Sequence, residues 1–360
     1  MNLFRRGIKE ARYRIRNVAS QVLLRERPDV LYVVEDADWS VRWDGHYISR
    51  GVSARGIKCE IGQSQLFPSN GLVHFGCLNL SVKGATNAIR KGNRAIVTLF
   101  HGDFGINASL DNQLNQFLQL VPSLSRVVVA NRIMFERLVS WGVPEWKLVL
   151  IPIGVDLAQF YPISPDKKRR LRDHYGIPND AICIGSFQKD GEGWGEGANP
   201  KFIKGPDVFV EVVTQLSGYF PVHCVLTGPS RGYVKDALRA RGIPFTHRFF
   251  KNYLEIADFY RCLDIYLVTS REEGGPKAVL EAPACGVPVV STRVGMAPQV
   301  IYDNGLLADE VKELTDAASR ILGDPALCRR FAEAAPASVR EYDWETISGR
   351  YHALYQELLR

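Results

Sequence analysis

Glu273 and Glu281 flank a Gly274-Gly275-Pro276 turn, with Lys277 and Ala278 leading from the turn into the second carboxylate. Two carboxylates framing one turn can reach a common ligand as hydrogen-bond acceptors, and an ammonium beside a glycine turn can meet an anion. Residues 265–268 are a short apolar run of strand type, 274–276 break it, and 277–285 have helical spacing with Val279, Leu280 and Ala284 inward. Gly286 closes that helix and 287–291 begin another buried strand, so the unit is βαβ and implies a parallel sheet. The first helical turn has unpaired backbone N–H groups, and its glycines permit close approach, which suits a phosphate or diphosphate held by Gly274 to Ala278. At 3.6 residues per turn Lys277 and Glu281 share a face. They can meet one ligand, or they can merely pair with each other as an i, i+4 couple.

Strands are also expected at 30–34, 72–75, 95–99, 126–130 and 148–151, then at 181–187, 221–227 and 244–250, with helical patterns between them. This alternation predicts α/β architecture with doubly wound parallel sheets. A chain of 360 residues suits two domains. They are placed at 1–158 and 170–342, joined by a charged, proline-broken linker at 161–170, with a last helix at 344–360. Helices are expected near 310–322 and 325–340. No internal repeat is visible.

Hydrophobic content of 46% and charged content of 23% suit a soluble enzyme, and no apolar run approaches a membrane span. The N-terminus interleaves arginines with apolar residues, unlike a signal peptide. The seven cysteines are scattered singly and read as reduced residues of a cytoplasmic protein, without metal or disulfide roles. Residues 1–27 carry eight basic residues, and Phe4, Ile8, Ala11, Ile15, Val18 and Val22 form one apolar stripe. That helix can dock on its own domain or lie peripherally on an anionic membrane surface. Nothing in the charge pattern calls for nucleic acid.

Two short motifs are set aside. Asp36 and Asp38 make a D-x-D with no further carboxylate or histidine cluster near them; Asp38, Trp39 and Asp44 are retained only as candidates for an acceptor surface at a strand end. Gly193, Gly195 and Ala198 fit G-x-G-x-x-A, but no helix opens on them. His46 and His74 are read as structural.

The string Ser270-Arg271-x-Glu273-Gly274-Gly275-Pro276, with Glu281 and the later Ala284-x-Gly286-Val287-Pro288-Val289-Val290, resembles the donor-site signature of family 4 glycosyltransferases of the GT-B fold, which are retaining and use nucleotide sugars. Ile151-Pro152-x-Gly154-Val155-Asp156 continues the resemblance. So does Val97 to Gly102, a strand leading into a glycine turn with His101 at its end. The resemblance implies two Rossmann-like domains facing a cleft, a nucleotide-sugar donor on the second, and a saccharide or lipid-linked acceptor entering from the first. It implies roles for Glu273 at the donor sugar, Glu281 at the ribose hydroxyls and His101 opposite the sugar. Lys189 and Lys204 are expected at the diphosphate, with Lys201 as a substitute, and Lys251 to Tyr253 around the base. The departing charge would be met without a metal or cofactor, and a final helix would cross back to the first domain. The sequence departs from the family pattern in lacking its usual arginine near Lys189 and in having only Asp44-Gly45 where many members carry a glycine pair. A sugar-nucleotide epimerase of the same fold and a non-catalytic donor-binding or glycan-binding member remain as other readings.

Overall fold

The computed structural model describes residues 27–35, 40–62 and 67–360. Most of the basic stripe, and Asp36, Asp38 and Trp39, lie outside these described residues.

The first sheet contains β1 (Val30–Val33), β2 (Cys59–Gly62), β3 (Leu72–Phe75), β4 (Arg94–Leu99), β5 (Arg126–Val129) and β6 (Leu148–Leu150), in the order β2-β1-β3-β4-β5-β6. Its strands pair in parallel throughout. The second contains β7 (Ile182–Phe187), β8 (Val222–Thr227), β9 (Phe245–Arg248), β10 (Ile265–Val268), β11 (Val289–Ser291) and β12 (Gly305–Leu307), in the order β12-β11-β10-β7-β8-β9, and is also parallel. This is the GT-B arrangement of two doubly wound sheets. Strands β3, β8 and β10 are buried at every residue, which is why they read as largely apolar runs, broken only by His74, His223 and Thr227, without strict alternation. The strands at β2 and β12 were not expected: Cys59–Gly62 has one fully buried residue of four, and Gly305–Leu307 is too short to show a period.

In the second sheet the chain runs outward from β7 through β8 and β9, then returns to place β10 on the other side of β7. Such a reversal splays the loops that leave the carboxyl ends of the two central strands and opens a crevice between them. Those loops are 188–204 and 269–277, which hold most of the candidate residues.

The last helix, Trp344–Leu359, packs on helix Ser40–Ser53 and shares an apolar core with Ile48 of that helix and with Tyr32 and Ile96 of the first sheet. His74 lies in that core, between the Tyr355 hydroxyl at 2.6 Å and Thr98 Oγ1 at 2.8 Å, and burial lowers its pKa to about 3. The expected linker at 161–170 is partly helical, because Ser164 caps and Pro165 starts a helix Pro165–Tyr175. That helix is anchored by Arg172, whose guanidinium bonds Asp264 at 2.7 Å and the Cys262 carbonyl at 2.9 Å.

Candidate active site

β10 ends at Val268, the chain turns through Thr269 to Lys277, and helix Ala278–Ala284 follows, as its spacing predicts. The turn is shaped by packing. A Cβ on Gly274 would stand 2.6 Å from that of Phe100 in the first sheet's β4 loop, and one on Gly275 would stand 2.4 Å from Ile153 Cδ1. The glycines therefore let the first half of the chain press directly on the turn. The Gly274 carbonyl accepts from Asn131 Nδ2 at 2.5 Å, while Asn131 Oδ1 caps helix Arg132–Ser140. Val279 and Leu280 bond back to Pro276 and Lys277, whereas the N–H groups of Gly275 and Lys277 bond none of the described residues.

Glu273 is held from two sides: Lys204 Nζ lies 2.7 Å from one carboxylate oxygen and the Ser270 hydroxyl donates to the other at 2.9 Å. Lys204 arrives there because Gly205 fits against the end of β10. With φ of +61° and a would-be Cβ only 1.8 Å from the Thr269 carbonyl, position 205 excludes any side chain. Gln188 Nε2 donates to the Lys204 carbonyl, and the Arg271 N–H donates to the Ile203 carbonyl at 2.9 Å. The 188–204 loop, the 269–277 turn and their two candidate residues thus form one hydrogen-bonded unit.

His101 faces the same unit from β4. It is exposed to solvent, and its pKa is lowered by partial loss of water and then by the positive charge of Lys204, with Arg137 adding to the lowering and Glu273 and Glu272 opposing it. The His101–Glu273–Lys204 grouping places an imidazole, a carboxylate and an ammonium around one space.

Three placements differ from the sequence reading. Lys277 does not pair with Glu281; it is the cap residue of the helix and reaches across the cleft to Asp44 Oδ1 at 2.5 Å. Glu281 is 4% exposed and accepts from the Tyr253 hydroxyl, and burial, followed by the nearby Asp44 charge, raises its pKa well above the ordinary carboxylate value. Lys189 stands 3.8 Å over the ring of Trp194 instead of beside Lys204. Asp44, a candidate for the acceptor side, is brought instead to the donor-side helix.

Sequence reasoning also passed over several residues that the structure brings in. Tyr253 was expected around the base, but its ring lies 5.6 Å from that of Trp43, tilted by 37°, and its hydroxyl donates to Glu281. Arg231 lies beneath the 188–204 loop, distant in sequence from Lys189, beside which the resemblance expects an arginine. Its Nε is 3.0 Å from Asp190, both side chains are fully buried, and Arg231 also donates to the Ser186 and Thr227 carbonyls. Among the described residues no group of three or more His, Cys, Asp or Glu side chains is placed to hold a metal ion, and no helix is long and apolar enough to cross a membrane.

Residues 197–324 match the model of the family described as glycosyl transferases group 1. A D-inositol 3-phosphate glycosyltransferase of Corynebacterium jeikeium is 30% identical over 225 residues, which is 58% of this chain and 51% of that protein. The lipopolysaccharide core biosynthesis mannosyltransferase LpsB of Rhizobium meliloti is 28% identical over 222 residues, 58% of this chain and 60% of that one. The chain thus spans about half to three fifths of the length of these curated relatives. Sucrose-phosphate synthase from Thermosynechococcus elongatus superposes with a TM-score of 0.76 at 17% identity, covering 92% of this chain and 99% of its own. Anabaena HepE, solved with UDP and glucose, superposes with a TM-score of 0.74 at 17% identity, covering 92% and 100%. At that identity the likeness is one of fold.

Proposed function

Because the chain is a GT-B protein of the family 4 glycosyltransferase type, we propose that it transfers a sugar, a hexose by our reading, from a nucleoside diphosphate sugar to a saccharide or lipid-linked acceptor. The observation that carries this is the Lys204–Glu273 pair, at 2.7 Å, set beside the uncommitted N–H groups of Gly275 and Lys277 at the topological switch of the second sheet. An ammonium and two amide donors on one side suit a diphosphate, and a carboxylate and imidazole next to them suit the hydroxyls of the attached sugar. Uracil is the base we favour, since HepE is known with UDP and with UDP-glucose.

In this reading the bond from the anomeric carbon to the diphosphate breaks as the acceptor oxygen bonds that carbon, and the acceptor proton ends on the departing diphosphate. The sugar becomes oxocarbenium-like while negative charge grows on the leaving group. Lys204 and the turn's N–H groups, already oriented, would stabilise that charge, which makes a metal ion unnecessary. Glu273, released from Lys204 by the arriving phosphate, would hold donor-sugar hydroxyls, and Glu281 would exchange the Tyr253 hydroxyl for those of the ribose. Retention of configuration, an acceptor destined for a cell-surface glycan, and work at the cytoplasmic face of a membrane complete the proposal.

A thermal-shift panel of UDP-glucose, UDP-N-acetylglucosamine, GDP-mannose and ADP-glucose, with and without EDTA, tests it. A ligand at 100 times its dissociation constant adds about 2.7 kcal/mol of stability. Stabilisation by a nucleotide sugar that survives EDTA is expected, followed by transfer to a saccharide acceptor. Epimerised donor formed without acceptor would identify an epimerase, and binding without turnover a non-catalytic member.

A further inference from the structure

Glu272 has no role in the account above, yet it is tied to the other half of the cleft more closely than its neighbour Glu273. Its Oε1 accepts the Gly102 N–H at 3.1 Å. Arg137, on helix Arg132–Ser140, donates to that same oxygen at 2.6 Å, to the second carboxylate oxygen at 3.3 Å, and to the Gly102 carbonyl at 2.7 Å. The Arg137 Nε also lies 3.3 Å from Asp103. Both backbone groups of Gly102 are therefore taken up by one ion pair that joins the first sheet's loops to the second sheet's. Gly102 itself holds φ of +135°, a region that residues with side chains rarely enter and that glycine reaches freely, so the two bonds, not a side chain, fix the turn. The pair is largely withdrawn from water, with side-chain exposures of 17% and 15%, where charge-assisted hydrogen bonds hold their geometry well.

His101 is joined to Gly102 by one peptide bond, and Glu272 to Glu273 by another. A shift of the Gly102 turn thus moves the imidazole relative to the carboxylate that shares its space. Resting on the glycosyl-transfer reading for what His101 does, we propose that Glu272 and Arg137 are positioning residues, a clamp formed when the two halves of the cleft meet, which fixes the Gly102 turn and so places His101 against Glu273. The charges facing His101 are Lys204 and Glu273 from the donor unit and Glu272 and Arg137 from the clamp. Glu272 holds its proton affinity up, and Arg137 holds it down. A displacement of reacting groups by about 1 Å can cost on the order of 100-fold in rate, so the clamp should register in turnover more than in donor binding.

The test is an NMR titration of the His101 ring in the full chain, its signal identified by loss in H101Q, together with steady-state kinetics on UDP-glucose or whichever nucleotide sugar stabilises the protein. E272Q is expected to lower the His101 midpoint and R137M to raise it. Both should lower kcat by about tenfold or more with the donor KM changed less than about threefold. Midpoints unmoved in both variants would overturn the clamp whether or not the chain transfers sugar. Opposite shifts in a chain that turns over no nucleotide sugar would leave the clamp standing and remove the transfer reading instead. Should either variant unfold, E272D and R137K, which keep both charges but alter reach, carry the kinetic arm: a kcat loss supports the proposal and an unchanged kcat overturns it.

Discussion

Lys277 Nζ and Asp44 Oδ1 lie 2.5 Å apart although 233 residues separate them, and their side chains are only 12% and 5% exposed. The pair joins the helix that follows the glycine turn to helix Ser40–Ser53 of the first half, and Trp344 and Tyr253 flank the ammonium with ring centroids at 5.3 and 5.6 Å. Loss of water raises the Asp44 pKa, and Lys277 works against that rise. Removing one partner of such a pair leaves the other buried and unmatched, which costs more than removing both. Lys277→Met should therefore destabilise the protein by about 3 kcal/mol, and the Asp44→Asn/Lys277→Met double variant by clearly less. Chemical denaturation of the four members of this cycle decides it; additive losses would show that the two residues act independently.

Lys204→Ala should raise the donor KM, since a charge-assisted contact to phosphate is worth roughly 1.5–3 kcal/mol. The same change frees Glu273 and removes a positive charge that lowers the His101 pKa, so the His101 midpoint should rise. Unchanged donor kinetics in steady-state assays would place the diphosphate elsewhere. Lys189→Ala should have the smaller effect on donor KM, because its ammonium is engaged with Trp194.

The parts of this site that lie close in sequence were legible there. The strand, glycine turn and helix of 265–284 follow from composition and spacing, and Lys204-Gly205 and His101-Gly102 were found through resemblance. What could not be read is what depends on distant partners. The i, i+4 rule linked Lys277 to Glu281, but the helix starts only at Ala278, so Lys277 is a cap residue free to turn toward Asp44. Glu272 and Arg137 are ordinary charged residues in sequence, and only the approach of β4 and β10 loops makes them a clamp. Arg231 was invisible as a site-supporting residue because its partner Asp190 lies in a loop whose sequence shows no period.

Asp190 and Arg231 make a fully buried ion pair under that loop, and loss of water raises the Asp190 pKa more than Arg231 lowers it. Asp190→Ala should cost about 3–5 kcal/mol of folding stability, as breaking buried pairs from one side does. A urea melt tests this, and a loss under about 1 kcal/mol would show that Arg231 finds a new partner.

Glu281 should make stability fall as pH rises. Its folded pKa lies well above the ordinary value, so the native protein holds that proton more tightly than the unfolded chain. The corresponding stabilisation is complete below the unfolded carboxylate range and is lost as pH climbs through the raised folded pKa. Glu281→Gln removes this dependence. Its melting temperature should exceed that of the parent at about pH 8 and converge with it near pH 4. A parent that is relatively more stable at the higher pH would mean that the buried carboxylate is well compensated when charged.

The most direct test of a donor lying along the 269–284 turn and helix is the split between the two glutamates. Steady-state kinetics of Glu273→Gln and Glu281→Ala with varied nucleotide sugar should separate kcat from KM. Glu273, proposed to face the reacting sugar, should lose about 100-fold or more in kcat with little change in KM, because hydrogen bonds there would tighten as charge develops. Loss of Glu281, proposed to hold the ribose alike in ground and transition states, should mainly raise the donor KM. A Glu273→Gln enzyme that keeps its kcat while Glu281→Ala abolishes turnover would contradict the account.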